Sequence, residues 1–539
     1  MSLSGKVDQK ALLAQIQHTQ TDGITRTAPV TDTEIQIAKV WSENLNGIEI
    51  ACEDDFFALG GDSLRVIAVI NALRNDYDCS ANDLYENPTL KAFARHCKHR
   101  PQHLETQLQK AKDHWQAYNA EQAAYDQQQN NALSWPLTDY YQRNAHYDDL
   151  VLQEQQTYQH VLLSGATGYL GAYLVRELLK TNLVQLTALI RGADNQHATQ
   201  RLKDTLILYF GEAQGLQLAN DPRLNVLVTD LRQKGLGLDR GDYDHLAQTV
   251  DAIYHSAANV NHFGHYQDLY ADNVQATDHL IDLAAQRPSN PSDFHHISTI
   301  SVAGTPPPQG YLLFSEYSLP PKTEAENYYI RTKQEAERHV IAARDRLTNA
   351  TIHRVGNIVF AADNPILQKG VKTNAFFRQL AAFIRVGKAP NDLHVWLCHV
   401  DYLAKALITI SNSKALVNET HHLEHHYRHT VSGLLTNKGT GLSCVEECDF
   451  ATFVTRLQDL IGQDAYHTPM AELIEAFGLM RGQAPQPRGR RLEVTTERTQ
   501  TLLTRLGFSW PEVPITGLRH LLNNAQDHFD HVPPVAKKD

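Results

Sequence analysis

The chain has 539 residues, 42% of them apolar and 20% charged, which is enough for about three to four domains and excludes a disordered chain or a rod. Its 61 acidic residues outnumber 49 basic ones, for a net charge of −12; nucleic-acid binding through the overall field is excluded, while a local basic pocket for a phosphate is not. Six scattered cysteines with no C-x-x-C pair exclude a disulfide framework and a four-ligand zinc site, and read as cytoplasmic. No apolar run reaches membrane-spanning length, and Asp8 and Lys10 fall where a signal peptide needs its apolar core.

Residues 31–100 hold helical patterns separated by short polar turns, with 12 acidic against 7 basic residues, and predict a small acidic all-α module. Within it, FFALGGDSLRVIAVI turns tightly at Gly60 and Gly61 and places Ser63 at the start of an apolar helix. A serine there either caps the helix or holds a phosphate against its positive end, and both roles fit. Residues 101–155 are rich in Gln, Asn, Ala and Tyr and predict a linker containing a helix, followed by irregular chain around Trp135 and Pro136.

From residue 156 short β-runs alternate with longer helical stretches, which predicts an α/β domain: a Rossmann-type doubly wound parallel sheet over about 156–410. Segments of about 361–539 predict a smaller, mostly helical C-terminal lobe. HVLLSGATGYLGAYLVRELLK reads as strand, glycine turn and helix, so Gly165, Thr167, Gly168, Tyr169, Leu170 and Gly171 form a candidate pyrophosphate site. The second strand ends in Arg191 where an NAD site usually carries an acid, which favours a 2'-phosphate and hence NADPH. Arg201 is either a second clamp or a solvated helical arginine. Asp230 and Leu231 close the third strand, where the adenine lies in related folds.

Tyr329 and Lys333 stand four apart on a predicted helix, so both face one reacting centre, and a neighbouring cation is expected to lower the phenol's pKa. Upstream, FHHISTISVAG is a buried-type strand that brings the hydroxyls of Ser298 and Thr299 to its end. The run THHLEHHYRH offers His421, His422, His425, His426 and His429 at ligand spacing but without an acidic or cysteine partner, so no metal is predicted. Cys444 and Cys448 read as free thiols.

FFALGGDSL resembles the phosphopantetheine attachment motif of the carrier domains of nonribosomal peptide synthetases, a resemblance covering about 31–98. It implies a four-helix carrier with 4'-phosphopantetheine on Ser63. SGKVDQKALLAQ looks like the closing motif of an adenylation domain, which makes residues 1–30 a remnant and linker in which Lys6 is inert. The glycine turn, the Ser/Thr strand end and Y-x-x-x-K, in that order, resemble the extended short-chain dehydrogenase/reductase family over about 156–410. In that family the active hydroxyl lies a few residues before the glycine that ends this segment, here Gly304, which selects Thr299 over Ser298 and Ser301. Asn273-Val274 and HVDYLAKAL around Asp401 also match, RVGNI at 354–358 departs from the Pro that often follows Arg, and the spacing to Lys333 selects Tyr329 over Tyr328.

Joined to a carrier, the resemblance narrows to the terminal thioester reductase domains of peptide synthetases and carboxylic acid reductases. It implies NADPH-dependent release of an acyl or peptidyl thioester as an aldehyde, or as an alcohol after a second hydride. Thr299 and Tyr329 then hold the developing oxyanion, Tyr329 gives the proton and Lys333 holds the nicotinamide ribose. The implied partners are a phosphopantetheinyl transferase and upstream adenylation or synthetase domains. Two other readings stay open: cyclising release without redox chemistry, and a non-catalytic carrier fused to an NADP-binding fold. The acyl group, the product and the oligomeric state are not legible in the sequence.

Overall fold

The computed structural model describes residues 26–45, 47–73, 76–99, 134–261, 265–287, 291–304, 312–320, 327–364, 366–369, 375–391, 393–425, 428–436, 445–460 and 492–511. The expectations for Lys6, for residues 101–133, for His426 and for Cys444 lie outside them.

The first module packs four helices, α1 (Asp32–Asn44), α2 (Ser63–Leu73), α3 (Ala81–Glu86) and α4 (Leu90–His96). Helix α1 begins at a capping box: the Thr31 hydroxyl accepts from the Glu34 amide at 3.2 Å, and the Glu34 carboxylate accepts from the Thr31 amide at 3.0 Å. Its Trp41 lies fully buried against Phe56 and Phe93, with ring centroids 5.0 and 6.1 Å away. A second capping box, Ser80 with Asp83, starts α3.

The irregular chain expected around Trp135 and Pro136 is instead a helix, Ser134–Asn144. Pro136 falls in its first turn, where a backbone N–H has no intrahelical acceptor to lose.

The larger domain is built on β1 (His160–Ser164), β2 (Gln185–Ile190), β3 (Leu224–Val228), β4 (Ala252–His255), β5 (Asp293–Thr299), β6 (Ala350–Val355) and β7 (Thr420–Leu423). They form one sheet in the order 3-2-1-4-5-6-7 with every pairing parallel. Parallel strands need covering on both faces, and accordingly β1, β4, β5, β6 and β7 are buried along their whole length. On one face lie α5 (Tyr169–Leu179), α6 (Asn195–Ala219) and α10 (Val400–Ser411), packed on Val161, Leu163 and Tyr254. On the other lie α7 (Arg240–Thr249), α8 (Ala276–Ala284) and α9 (Tyr328–Ala342), with Leu246, Leu280 and Val340 in one cluster with Leu162, Ile253 and Phe294. The described part of the C-terminal lobe adds helices Ala375–Val386, Phe450–Asp459 and Glu497–Arg505 and several two-stranded pairings.

The start of the histidine-rich stretch is strand β7, and its His421 and His422, with His425 just beyond it, are core side chains, whereas His429 is half-buried on a separate short strand, Arg428–Thr430. His421 stacks on His353 and His353 lies against His295, each at 5.6 Å between ring centroids. Burial drives the pKa of His295 down to about 3 and those of His353 and His421 well below the ordinary value, so these rings pack as neutral aromatics. No group of three or more potential metal ligands converges among the described residues.

On the opposite face Arg354 and Glu337 form an ion pair at 2.8 Å, with side chains 1% and 0% exposed. Ser298 donates to Glu337 at 2.5 Å, and His422 Nε2 lies 3.1 Å from Arg354 Nη1. The Arg354 of the RVGNI segment thus sits inside the sheet and locks α9 to β6. Breaking such a pair from one side leaves a buried charge alone, so Glu337→Ala is expected to cost about 3–5 kcal/mol. Thermal unfolding checks this, and a Tm equal to that of the parent protein contradicts it.

Candidate functional site

The order of strands reverses between β1 and β4, and in such sheets ligands lie beyond the carboxyl ends of the strands at that crevice. The glycine turn leads out of β1 at this point. Gly165 has φ +78°, and a Cβ there would stand 2.6 Å from the Ala257 amide nitrogen. At Gly171 a Cβ would stand 2.0 Å from the Gly165 carbonyl oxygen, so glycine is required for α5 to approach β1. Gly168 is the N-cap of α5 and provides no side-chain acceptor, so the amides of its first turn and its positive end suit a pyrophosphate. Thr167 is partly exposed beside them. The side chains of Tyr169 and Leu170 are committed elsewhere, which leaves only their backbone at the turn: the Tyr169 hydroxyl donates to the Ile366 carbonyl at 2.9 Å, and the Leu170 side chain is buried in the core.

Arg191 follows β2 with its side chain 64% exposed. Arg201, on α6, donates to the Arg191 carbonyl, and burial together with the Arg191 charge pushes its pKa down. Two like charges are therefore held side by side, which is unfavourable until an anion joins them. The carboxylate closest to hand, Asp272, lies 3.7 Å from Arg191 but is gripped at 2.7 Å by both Nε and Nη2 of Arg232 and at 3.0 Å by Asn259. Asp230 accepts from the Arg232 amide at 3.1 Å and from Gln233 at 2.9 Å, and the Leu231 carbonyl lies 2.9 Å from His279 Nδ1. Sequence reasoning misses Arg232 and Asp272. The signal that could find them is a cation directly after Asp230-Leu231 and an acid directly before Asn273.

Asn327 caps α9, accepting from the Ile330 amide at 3.2 Å, and so fixes the phase of the helix. Tyr329 is deeply set yet keeps some accessible surface. Its hydroxyl lies towards that of Thr299, the last residue of β5, which favours the ionised phenol. Thr299 also accepts from the Ser301 amide at 3.2 Å. Ser298 is committed to Glu337, and Ser301 is exposed, so among these three hydroxyls the contact with Tyr329 falls to Thr299.

Lys333 is buried; it donates to the Ile297 carbonyl at 2.8 Å and lies 3.2 Å from His296 Nε2. Burial lowers its pKa to about 8. The expected depression of Tyr329 by Lys333 is not what this geometry produces. With the ammonium turned onto the sheet, burial pushes the phenol up to about 12, and the group opposing that rise is the Thr299 hydroxyl. Asn273, in the π-helical turn Ala271–Gln275, accepts from the Asn259 amide at 2.7 Å and donates to Thr332 at 3.0 Å. It thereby ties the loop after β4 to α9.

In the first module Gly60 has φ +97°, and a Cβ on Gly61 would fall 2.3 Å from the Phe56 ring. Asp62 accepts from the Arg65 amide at 2.9 Å, so the capping role open to Ser63 falls to Asp62. Ser63 is the first residue of α2.

Comparison with known proteins bears on both halves. Residues 36–97 match the family described as phosphopantetheine attachment site, and residues 163–407 match the family described as male sterility protein. The chain is 30% identical over 434 residues, 78% of its length, to a linear gramicidin synthase of Brevibacillus parabrevis. It is 30% identical over 388 residues, 70% of its length, to an isonitrile lipopeptide synthase of Streptomyces coeruleorubidus. It spans 8% and 24% of the lengths of these two relatives. A thiolation-reductase di-domain from an archaeal non-ribosomal peptide synthetase superposes with a TM-score of 0.70 at 24% identity, covering 94% of this chain and 100% of that one; this likeness carries the fold. The chain thus joins a domain of the phosphopantetheine attachment site family to a domain of the male sterility protein family.

Proposed function

We propose that this chain releases an acyl or peptidyl group, held as a thioester on 4'-phosphopantetheine at Ser63, by NADPH-dependent reduction to an aldehyde. The observation that carries the reading is that Tyr329 of α9 and Thr299, the last residue of β5, come together at the carboxyl end of the sheet, in a chain that also holds the Gly-Gly-Asp-Ser turn. When bound, the nicotinamide supplies the hydride to the thioester carbon and the pantetheine sulfur is the leaving group. Thr299 and Tyr329 donate to the carbonyl oxygen as it gains charge, a type of contact worth about 3 kcal/mol per donor. Tyr329 passes its phenolic proton to that oxygen, giving a hemithioacetal, whose collapse breaks the carbon–sulfur bond as the hydroxyl proton is lost and the departing pantetheine sulfur takes up a proton, leaving aldehyde and free thiol. Lys333 supplies positive charge beneath the site and is the residue that would hold the nicotinamide ribose. The arginines at 191 and 201 hold the 2'-phosphate, the glycine turn holds the pyrophosphate, and Asp230 and Leu231 border the adenine.

In this reading residues 31–100 are the carrier, 101–155 a linker with a helix and 156–539 the reductase, and residues 1–30 are a remnant of an adenylation domain's C-terminus together with a linker. Ser63 is served by a phosphopantetheinyl transferase, and upstream synthetase domains choose the acyl group. A single turnover of acyl-loaded protein tests the reaction. One NADPH consumed per acyl group, with aldehyde formed, supports it; two with alcohol formed add a second hydride; none consumed refutes it.

The phosphate clamp carries its own prediction. Hydrogen bonds to charged groups contribute about 1.5–3 kcal/mol, so the pair Arg191→Ala and Arg201→Ala is expected to raise the KM for NADPH by at least about tenfold. The KM for NADH is expected to stay unchanged. Equal losses for both cofactors contradict the assignment.

A further inference from the structure

The phenol beside Tyr329 projects from another side of α9, since consecutive helical residues stand about 100° apart. Tyr328 donates at 2.8 Å to the Glu86 carboxylate, at the end of α3 in the carrier domain. The neighbouring carrier residue, Tyr85, meets His265 edge-on with ring centroids 6.2 Å apart. Tyr85 also stacks on Phe57 at 4.8 Å, and Phe57 opens the turn that leads to Ser63. On the reductase side Tyr266, the first residue of the helix Tyr266–Tyr270, packs edge-on to Tyr328 at 5.4 Å. Arg331 lies 4.4 Å over the Tyr266 ring. Burial, then the Glu86 contact, raises the Tyr328 phenol to about 12, with Asp83 adding to the rise and Arg331 opposing it. Two carrier carboxylates, Asp83 and Glu86, thus approach a tyrosine that a reductase cation also reaches.

We propose that Tyr85 and Glu86 of α3, seated on His265, Tyr266, Tyr328 and Arg331, form the docking surface through which the reductase receives its own loaded carrier. The partner is an acidic helix with an aromatic shoulder, and its seat is one residue from the phenol that acts on the thioester. This rests on the reductive-release reading and adds to it where on the reductase the carrier binds. Complementary charge and an aromatic contact are the means by which transient docking surfaces fix register and orientation.

The test uses the full chain with Tyr328→Phe and, separately, Glu86→Lys. Loss of a hydrogen bond to a charged group predicts a fall of about tenfold in the single-turnover rate of the Ser63-bound thioester, more for the charge reversal. Reduction of a free acyl-pantetheine thioester, measured with the same variants, is expected at the parent rate. Unchanged turnover of the bound thioester overturns the docking surface, and so does an equal fall for bound and free thioesters. A parent protein that reduces neither substrate refutes the release reading itself, so the two failures are distinguishable.

Discussion

Tyr329→Phe is expected to lower reduction of the Ser63-bound thioester by about 10²–10⁴-fold, the usual contribution of a positioned general acid. The ring volume stays, so binding of NADPH is expected to be unchanged; what is lost is the proton and one of two donors to the oxyanion. The pH profile of the parent protein adds a second reading of the same groups. With its pKa raised to about 12, Tyr329 keeps its proton throughout the neutral range and produces no limb there. Lys333, lowered by burial to about 8, is charged below that value and neutral above it. Turnover is therefore expected to fall as the pH rises through about 8, where the ammonium is lost. Undiminished NADPH consumption in Tyr329→Phe favours another proton donor, and its absence in both proteins favours cyclising release or a binding module.

Ser63→Ala is expected to abolish carrier-dependent turnover completely, because the nucleophile for phosphopantetheine attachment is gone. The fold is expected to survive. An N-cap serine replaced by alanine costs about 1 kcal/mol, but here Asp62 accepts from the Arg65 amide and provides that cap. Within the helix, alanine is favoured over serine by less than about 0.7 kcal/mol. Unfolding should thus leave Tm unchanged or slightly raised, while intact mass shows no added pantetheine arm. A fall of several degrees contradicts the assignment of the cap, and an arm still attached contradicts the attachment site.

The parts legible in the sequence are those in which local chain geometry and chemistry coincide. Gly165 and Gly171 can be read because the strand, turn and helix that need them are contiguous, and the strand and helix alternation after residue 156 is sufficient to give the parallel sheet. The Ser63 turn is legible for the same reason, although its capping residue is not, since Asp62 and Ser63 are equally good caps on paper.

What escapes depends on partners distant in the chain. Glu337 and Arg354 are ordinary surface-type residues until α9 is laid on β6. Likewise, Arg232 and Asp272 meet only when the loop after β3 reaches the π-helical turn. The direction of Lys333 differs from the expectation because four-residue spacing gives the face of the helix and not the acceptors beneath it, here Ile297 and His296. Trp135-Pro136 reads as a break, although proline is tolerated in the first turn of a helix.

The central claim is that a carrier and a nicotinamide site on one polypeptide act together on one thioester. Intact-protein mass spectrometry of Ser63-loaded chain, with and without NADPH, tests it most directly. The account predicts that the acyl mass disappears only when NADPH is present, that the pantetheine arm remains, and that an aldehyde or alcohol appears in solution. Acyl groups that persist beside NADPH, or that leave equally fast without it, contradict it.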